Sequence, residues 1–182
     1  SACGGWLGRM IGPKLAASRK ALRNIERAFP EASPEDKQKI LNAMWENLGR
    51  VIAEYPHLKT IAKNRTEIHE HPEAKNLRQQ NKGALYCGAH FGNWEVNCLA
   101  AYFQLGLKTD ITYRRPNNPY IDRLLQKIRM SGTEDEMAAH AKGREGGKAI
   151  LRALKEGKSL GILIDQKYNE GVSVPFFGHA AM

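Results

Sequence analysis

Ala84-Leu85-Tyr86-Cys87-Gly88-Ala89-His90-Phe91-Gly92-Asn93-Trp94-Glu95-Val96 reads as a short apolar strand, a turn, and the start of a helix that runs on to Leu105. The strand ends near His90 and the helix begins near Asn93. An imidazole and a carboxylate thus fall at the carboxyl end of a strand, where open α/β sheets bind their ligands. On one continuous helix, residues five apart would face roughly 140° away from each other. A turn between them lets Glu95 reach the ring of His90. A carboxylate that holds one ring nitrogen makes the other a better general base. The bland alternative, a structural histidine beside a strand, stays open on so short a motif.

Working outward, the remaining elements alternate. Upstream, Thr66-Glu67-Ile68-His69 reads as a short strand, and Pro72 to Asn81 as a helix stopped at Gly83. Downstream, Thr109 to Tyr113 is β-branched and strand-like, and Asn118-Pro119 opens a helix through Ile128. Gly146 to Glu156 is a further helix ended by Gly157. Ser159 to Ile164 has the continuous apolar character of a strand covered on both faces of a parallel sheet. The longest linker is the polar stretch Ser131 to Gly147.

The first third is helical. Ser33-Pro34-Glu35-Asp36 carries a cap, a proline at the first helical position and acids in the first turn. From there Ile40, Leu41, Met44, Trp45, Leu48, Val51, Ile52 and Tyr55 recur at helical spacing until Pro56. Burying each would contribute about 1.5–3 kcal/mol before entropy, which predicts a core-facing helix. Leu7 to Phe29 is a basic amphipathic segment, with Leu15, Leu22, Ile25 and Phe29 on one side. Such a segment suits either a bundle or a membrane surface. The expected fold is α/β: a helical N-terminal layer (residues 1–64) followed by a mostly parallel sheet sandwiched by helices (65–182), in one domain.

The 182 residues suffice for one well-cored domain, and 42% hydrophobic with 26% charged content is that of a globular protein. Three cysteines, Cys3, Cys87 and Cys98, show no Cys-x-x-Cys spacing. The latter two read as small core residues, as suits a reducing compartment. The net charge of +9 is uneven: Arg9, Lys14, Arg19, Lys20, Arg23 and Arg27 face only Glu26 in the first thirty residues. That segment attracts phosphates, acidic carrier proteins, anionic membranes or nucleic acid. No run reaches the roughly 18 apolar residues of a membrane span, and no signal peptide is visible. The chain begins without Met and stops just past a strand-like segment, which reads as part of a longer protein.

Each of the three clear strands ends in polar residues: His90 and Glu95, then Arg114-Arg115, then Asp165-Gln166. In a parallel sheet these ends share one edge. That edge would offer a base, guanidinium groups suited to phosphate, and an acid/amide pair. A Gly-x-Ser-x-Gly elbow, a P-loop and a dinucleotide fingerprint are absent. His69-Glu70-His71 lacks a spaced third ligand, so no metal is expected. No aromatic-and-basic nucleic-acid platform is present either.

The chain resembles the bacterial lipid A biosynthesis acyltransferases, within the superfamily that includes glycerol-3-phosphate acyltransferases. The resemblance runs from Ala28-Phe29-Pro30 to Phe176-Phe177-Gly178. It rests on His90-Phe91-Gly92-Asn93-Trp94-Glu95, Tyr113-Arg114 with Asn118-Pro119-Tyr120-Ile121-Asp122, Arg144 with Ala153-Leu154-Lys155-Glu156-Gly157, and Asp165-Gln166 with Gly171 to Gly178. It implies transfer of a fatty acyl group from acyl carrier protein to a hydroxyl of a lipid A precursor, at the cytoplasmic face of the inner membrane, with no cofactor and no nucleic-acid partner. By this resemblance His90 is the general base and Glu95 holds its ring. Arg114 and Arg144 meet acceptor phosphates, sugar acids or the developing oxyanion. Arg115, standing where a proline often follows, and Asp165 and Gln166 complete the expected binding set. The resemblance also implies a membrane helix before Ser1 and strands beyond Met182, so that this stretch exposes sheet edge and apolar surface and is poorly soluble alone. Two other readings stay open: a glycerolipid acyltransferase using the same dyad, and a non-catalytic basic module on membranes or nucleic acid.

Overall fold

The computed structural model describes residues 1–80, 83–133, 135–141, 143–166 and 172–181, with the backbone alone at 144, 145 and 181. Four strands, β1 (Leu85–Gly88), β2 (Thr109–Tyr113), β3 (Ala139–Ala141) and β4 (Ser159–Leu163), form one parallel sheet in the order β1-β4-β2-β3. A separate two-stranded hairpin, β5 (Val174–Phe176) with β6 (His179–Ala181), follows. The α/β expectation holds, with a crossover helix after each of the first three strands: α6 (Asn97–Leu105), α7 (Pro119–Arg129) and α8 (Arg144–Lys155).

Caps set the helix ends. Asn118 accepts from the amides of Tyr120 and Ile121 to start α7 beside Pro119. Gly106, at φ 66°, closes α6 in a left-handed conformation that a side chain would resist. Ser33 Oγ accepts from the amide of Asp36 and starts α3 (Pro34–Glu54), as its spacing predicts. A 3₁₀ turn then carries the chain through Pro56 into α4 (Leu58–Asn64).

The main apolar core joins this N-terminal layer to the sheet's own helix. Leu58 and Ala62 of α4 pack with Val96, Leu99 and Ala100, and Tyr55, Ile61, Ile68, Phe103 and Ile128 border them. Gln104 on α6 donates to the carbonyls of Ala62 and Thr66 and fixes the same junction.

Several expectations need correcting. Thr66 to His69 forms no strand; the Thr66 carbonyl is taken by Gln104, and no segment among the described residues pairs with it as a ladder. A strand that the sequence concealed, β3, lies inside the expected linker, paired with β2 from Ile111↔Ala139 to Tyr113↔Ala141. The first amphipathic segment is two helices, α1 (Ala2–Ile11) and α2 (Ala16–Ala28), broken by a 3₁₀ turn at Pro13. On α3 only Leu41 and Val51 of the eight expected core residues are buried, and Ile40, Met44 and Ile52 are exposed. Cys87 is exposed because β1 is an edge strand. The expected helix from Pro72 ends as α5 (Pro72–Gln79), and Asn81 lies outside the described residues.

Candidate active site

The pairing of β1 with β4 decides the site. Gly88 lies opposite Leu163, and the Ile164 amide donates to the Gly88 carbonyl. Two residues further along each strand stand His90 and Asp165. Asp165 grips the histidine twice: its Oδ2 accepts from the His90 backbone amide at 2.9 Å, and Oδ1 lies 2.7 Å from ring Nδ1. Burial alone would raise this carboxyl, but the two His90 contacts hold it below its ordinary value. An ionised carboxylate can only accept, so Nδ1 carries the proton and Nε2 offers a lone pair. That lone pair accepts from Gln166 Nε2 at 3.1 Å. The Trp94 ring meets the imidazole edge-on, centroids 4.8 Å apart. His90, Asp165 and Gln166 therefore form one chain of contacts, as convergence of strand ends requires.

Glu95 is placed otherwise than expected. It does not hold the imidazole. The residues Trp94–Val96 wind into a 3₁₀ turn whose start is capped by Asn93 Oδ1 on the Glu95 amide. The Glu95 carboxylate then meets Arg129 bidentately, at 2.7 Å to Nε and 2.6 Å to Nη2. It also accepts from the Tyr55 hydroxyl at 2.8 Å and Trp94 Nε1 at 3.2 Å. A planar guanidinium is a stronger claimant on a poorly solvated carboxylate than a neutral ring. Burial pushes the Glu95 carboxyl up, yet the bonds and charge of Arg129, with Tyr55 and Trp94, outweigh it and hold the value down. Burial and the Glu95 charge push the Tyr55 phenol up to about 12.

The turn itself is pinned from α3. Asn47 Nδ2 donates to the carbonyl of Gly92, whose φ of 52° turns the chain, and Asn93 Nδ2 donates to Glu54 at 2.7 Å. These contacts fix the backbone next to His90 without touching the ring.

Behind His90 opens a cavity of about 710 Å³. Its walls are mostly apolar, including Leu99, Leu107, Ile111, Met130, Met137 and Leu163, with His90, Gln166, Glu95, Arg129 and Arg114 also lining it. Arg114 is exposed and has no ion pair among the described residues, which leaves its guanidinium available. Arg115 pairs with Asp122 at 3.4 Å, remains largely exposed, and is not among the residues that line the cavity. The Arg144 side chain lies outside the described residues, although its backbone opens α8. Of the imagined metal ligands, Glu70 is bound by Arg78 and His71 caps α5.

Arg129 and Tyr55 are the residues that sequence reasoning missed. Tyr55 reads as one more core position on α3. Arg129 stands seven residues after buried Asp122 on the inward stripe of α7, and a charge on such a stripe was the one available signal.

The whole chain, residues 1–182, matches a family described as bacterial lipid A biosynthesis acyltransferase. The chain belongs to this family. Among relatives of this family, it is 26% identical over 180 residues to the lipid A biosynthesis palmitoleoyltransferase of Escherichia coli (strain K12), covering 94% of this chain and 56% of that protein. The lipid A biosynthesis acyltransferase of Shigella flexneri matches to the same extent. The lipid A biosynthesis lauroyltransferase of Escherichia coli (strain K12) is 28% identical over 165 residues, covering 85% of this chain and 50% of that protein. The chain thus spans about half the length of the curated relatives it matches.

Proposed function

We propose that this lipid A acyltransferase-family protein moves a fatty acyl group from acyl carrier protein to a hydroxyl of a lipid A precursor at the cytoplasmic face of the inner membrane. His90 serves as general base. Its Nε2 takes the proton from the acceptor hydroxyl while that oxygen bonds to the thioester carbonyl carbon. The carbon–sulfur bond then breaks, and the leaving thiolate takes the proton back from the imidazolium. Only a proton and an acyl group move, so this chemistry needs no cofactor. Asp165 keeps Nδ1 protonated and stabilises the transient imidazolium, the task given by analogy to the acid of a hydrolase triad. Gln166 sits where the hydroxyl must come and yields its place to substrate. Glu95 acts as a positioning residue through Arg129 and Tyr55. Arg114, in no ion pair among the described residues, supplies a cation for an acceptor phosphate or the developing oxyanion.

The observation that carries this reading is a histidine with a held Nδ1 and an accessible Nε2, set on an apolar cavity of acyl-chain scale. Each buried methylene contributes about 0.8 kcal/mol, so a chain of roughly a dozen carbons would gain on the order of 10 kcal/mol before entropy. The relatives' names, a lauroyl and a palmitoleoyl transferase, agree with a long saturated or unsaturated chain there.

The test offers lauroyl- or palmitoleoyl-acyl carrier protein with a lipid A precursor and follows acylated product by mass spectrometry. His90→Ala should abolish product while the circular dichroism spectrum is kept. Near-normal turnover by that variant ends the proposal. A lysophospholipid acceptor offered with the same donor separates this reading from a glycerolipid acyltransferase.

A further inference from the structure

The helix α7 is a wall of the cavity, and its two sides differ. Asp122 pairs with Arg115 at 3.4 Å, Gln126 Nε2 donates to the Tyr113 hydroxyl at 2.6 Å, and Arg129 holds Glu95. These contacts tie successive turns of the helix to the end of β2 and to the turn that follows His90. Tyr113 and Arg129 themselves line the cavity.

The outward side takes no part in that packing. Tyr120, Arg123, Leu124 and Lys127 stand at i, i+3, i+4 and i+7, one face of the helix. All four are exposed, Tyr120 at 75% and Leu124 at 53%, and exposed Ile121 borders them. The Arg123 guanidinium lies over the Tyr120 ring, 5.2 Å from its centroid, and its Nε donates to the Pro119 carbonyl. Neither Arg123 nor Lys127 is in an ion pair among the described residues. The one acid of α7, Asp122, is buried on the other side. The face is therefore an apolar line set among cations, with no acid of its own.

We propose that this face of α7 is where an acidic carrier protein docks while it delivers the acyl thioester to His90. A partner with an acidic rim around an apolar centre complements it in both charge and polarity, on a chain of net charge +9. Tyrosine and arginine are the side chains that most often anchor protein interfaces, and a guanidinium already stacked on its ring loses less freedom on binding. A bilayer fits less well. An interfacial helix presents a broad apolar stripe with its cations opposite, whereas here Arg123 and Lys127 share the face of Tyr120 and Leu124. A second copy of the chain would bring the same cations against each other. A carrier on this face stands one helix thickness, about 10 Å, from the cavity, so the acyl group must arrive on an arm that passes α7. The inference rests on the transfer proposed above and names the surface that receives its donor.

The experiment measures binding of the full chain to acyl carrier protein whose arm ends in a free thiol, so that no turnover is needed. The wild type should bind, and binding should weaken as salt rises. Arg123→Glu with Lys127→Glu, and separately Tyr120→Ser with Leu124→Ser, should each weaken it about tenfold or more. In the transfer assay both double variants should raise KM for lauroyl-acyl carrier protein with little change in kcat. Their kcat/KM for lauroyl-pantetheine, the same thioester without the protein, should match the wild type. Wild-type protein that does not bind the carrier overturns the proposal. So does either double variant that binds it as the wild type does, or one that loses both donors equally. The proposal also fails if the variants keep the carrier and instead lose phosphatidylglycerol vesicles, or turn a dimer into a monomer by light scattering. Carrier binding at α7 without acyl transfer would sink only the catalytic reading. Carrier-dependent transfer that ignores the α7 variants would sink only the docking surface.

Discussion

His90 has one ring nitrogen committed to Asp165 and the other facing Gln166, and this asymmetry suits the proposed base. Asp165→Asn keeps the shape but can satisfy the wrong tautomer; transfer should fall about 10²–10⁴-fold in a steady-state assay with little change in folding. Glu95 belongs to a different kind of contact. With Glu95 and Arg129 side chains 7% and 17% exposed, removing either strands a charge. Glu95→Ala or Arg129→Ala should therefore destabilise the protein by about 3–5 kcal/mol, read from the urea midpoint. A Glu95→Leu/Arg129→Leu pair should recover most of that stability and little of the activity. Stability that stays lost in the double variant would refute the stranded-charge account. At this scale the sequence marks His90 and Glu95 as chemistry-bearing, and it cannot say which acid the ring receives. That choice rests on a β1–β4 register between residues 75 apart.

Elements set what fits. Gly161, on the central strand β4, lines the cavity, and a Cβ there would lie 3.0 Å from Cys98 Sγ and 3.4 Å from Thr109 Cγ2. It stands four residues before Asp165, so it narrows the cavity away from the His90 end. Gly161→Val should move preference toward shorter acyl donors, measured as the ratio of kcat/KM across a chain-length series. An unchanged ratio would place the acyl chain elsewhere. The α1–α3 contact is equally intolerant of bulk: Gly8→Leu has backbone in its way and should cost about 1–3 kcal/mol, measured by denaturant unfolding. Strong periodicity made α3 legible, and its Ser33 cap and Pro34 stand where the pattern puts them. The strand β3 was hidden because three residues are too few to show alternation. The α1–α2 break was signalled by Gly12-Pro13, and the amphipathic stripe that continues on both sides of that dipeptide masked it.

For the whole molecule, acid stability draws in part on the two carboxylates of the site. Glu95 and Asp165 are both held below their ordinary values of 4.5 and 3.8. A lowered folded value means stability present above the unfolded pKa and lost as pH falls through the folded one. Thermal midpoints should hold above about pH 4.5 and drop below it, and Glu95→Leu/Arg129→Leu should flatten that drop. Tyr55 acts at the other end: its raised value favours the folded state below about pH 10, with the gain lost as pH rises toward 12. The surface is also open for the mass. The 12985 Å² exposed exceeds the roughly 8,800 Å² of a compact monomer of 20.4 kDa, and the exposed apolar residues fall mainly on α1, α3, α7 and the β5–β6 hairpin.

The sequence by itself determined most of the element types, the parallel α/β order and the candidate histidine at a strand end, because periodicity, caps and strand-end residues are local properties. It also fixed the uneven charge of the N-terminal helices. Only the tertiary structure decided that Asp165 contacts His90, that Glu95 is taken by Arg129 and Tyr55, and that Arg115 pairs with Asp122. Partners for a buried charge are chosen by whichever groups packing and strand register bring within hydrogen-bond reach, and neither quantity is written in the spacing of residues along the chain.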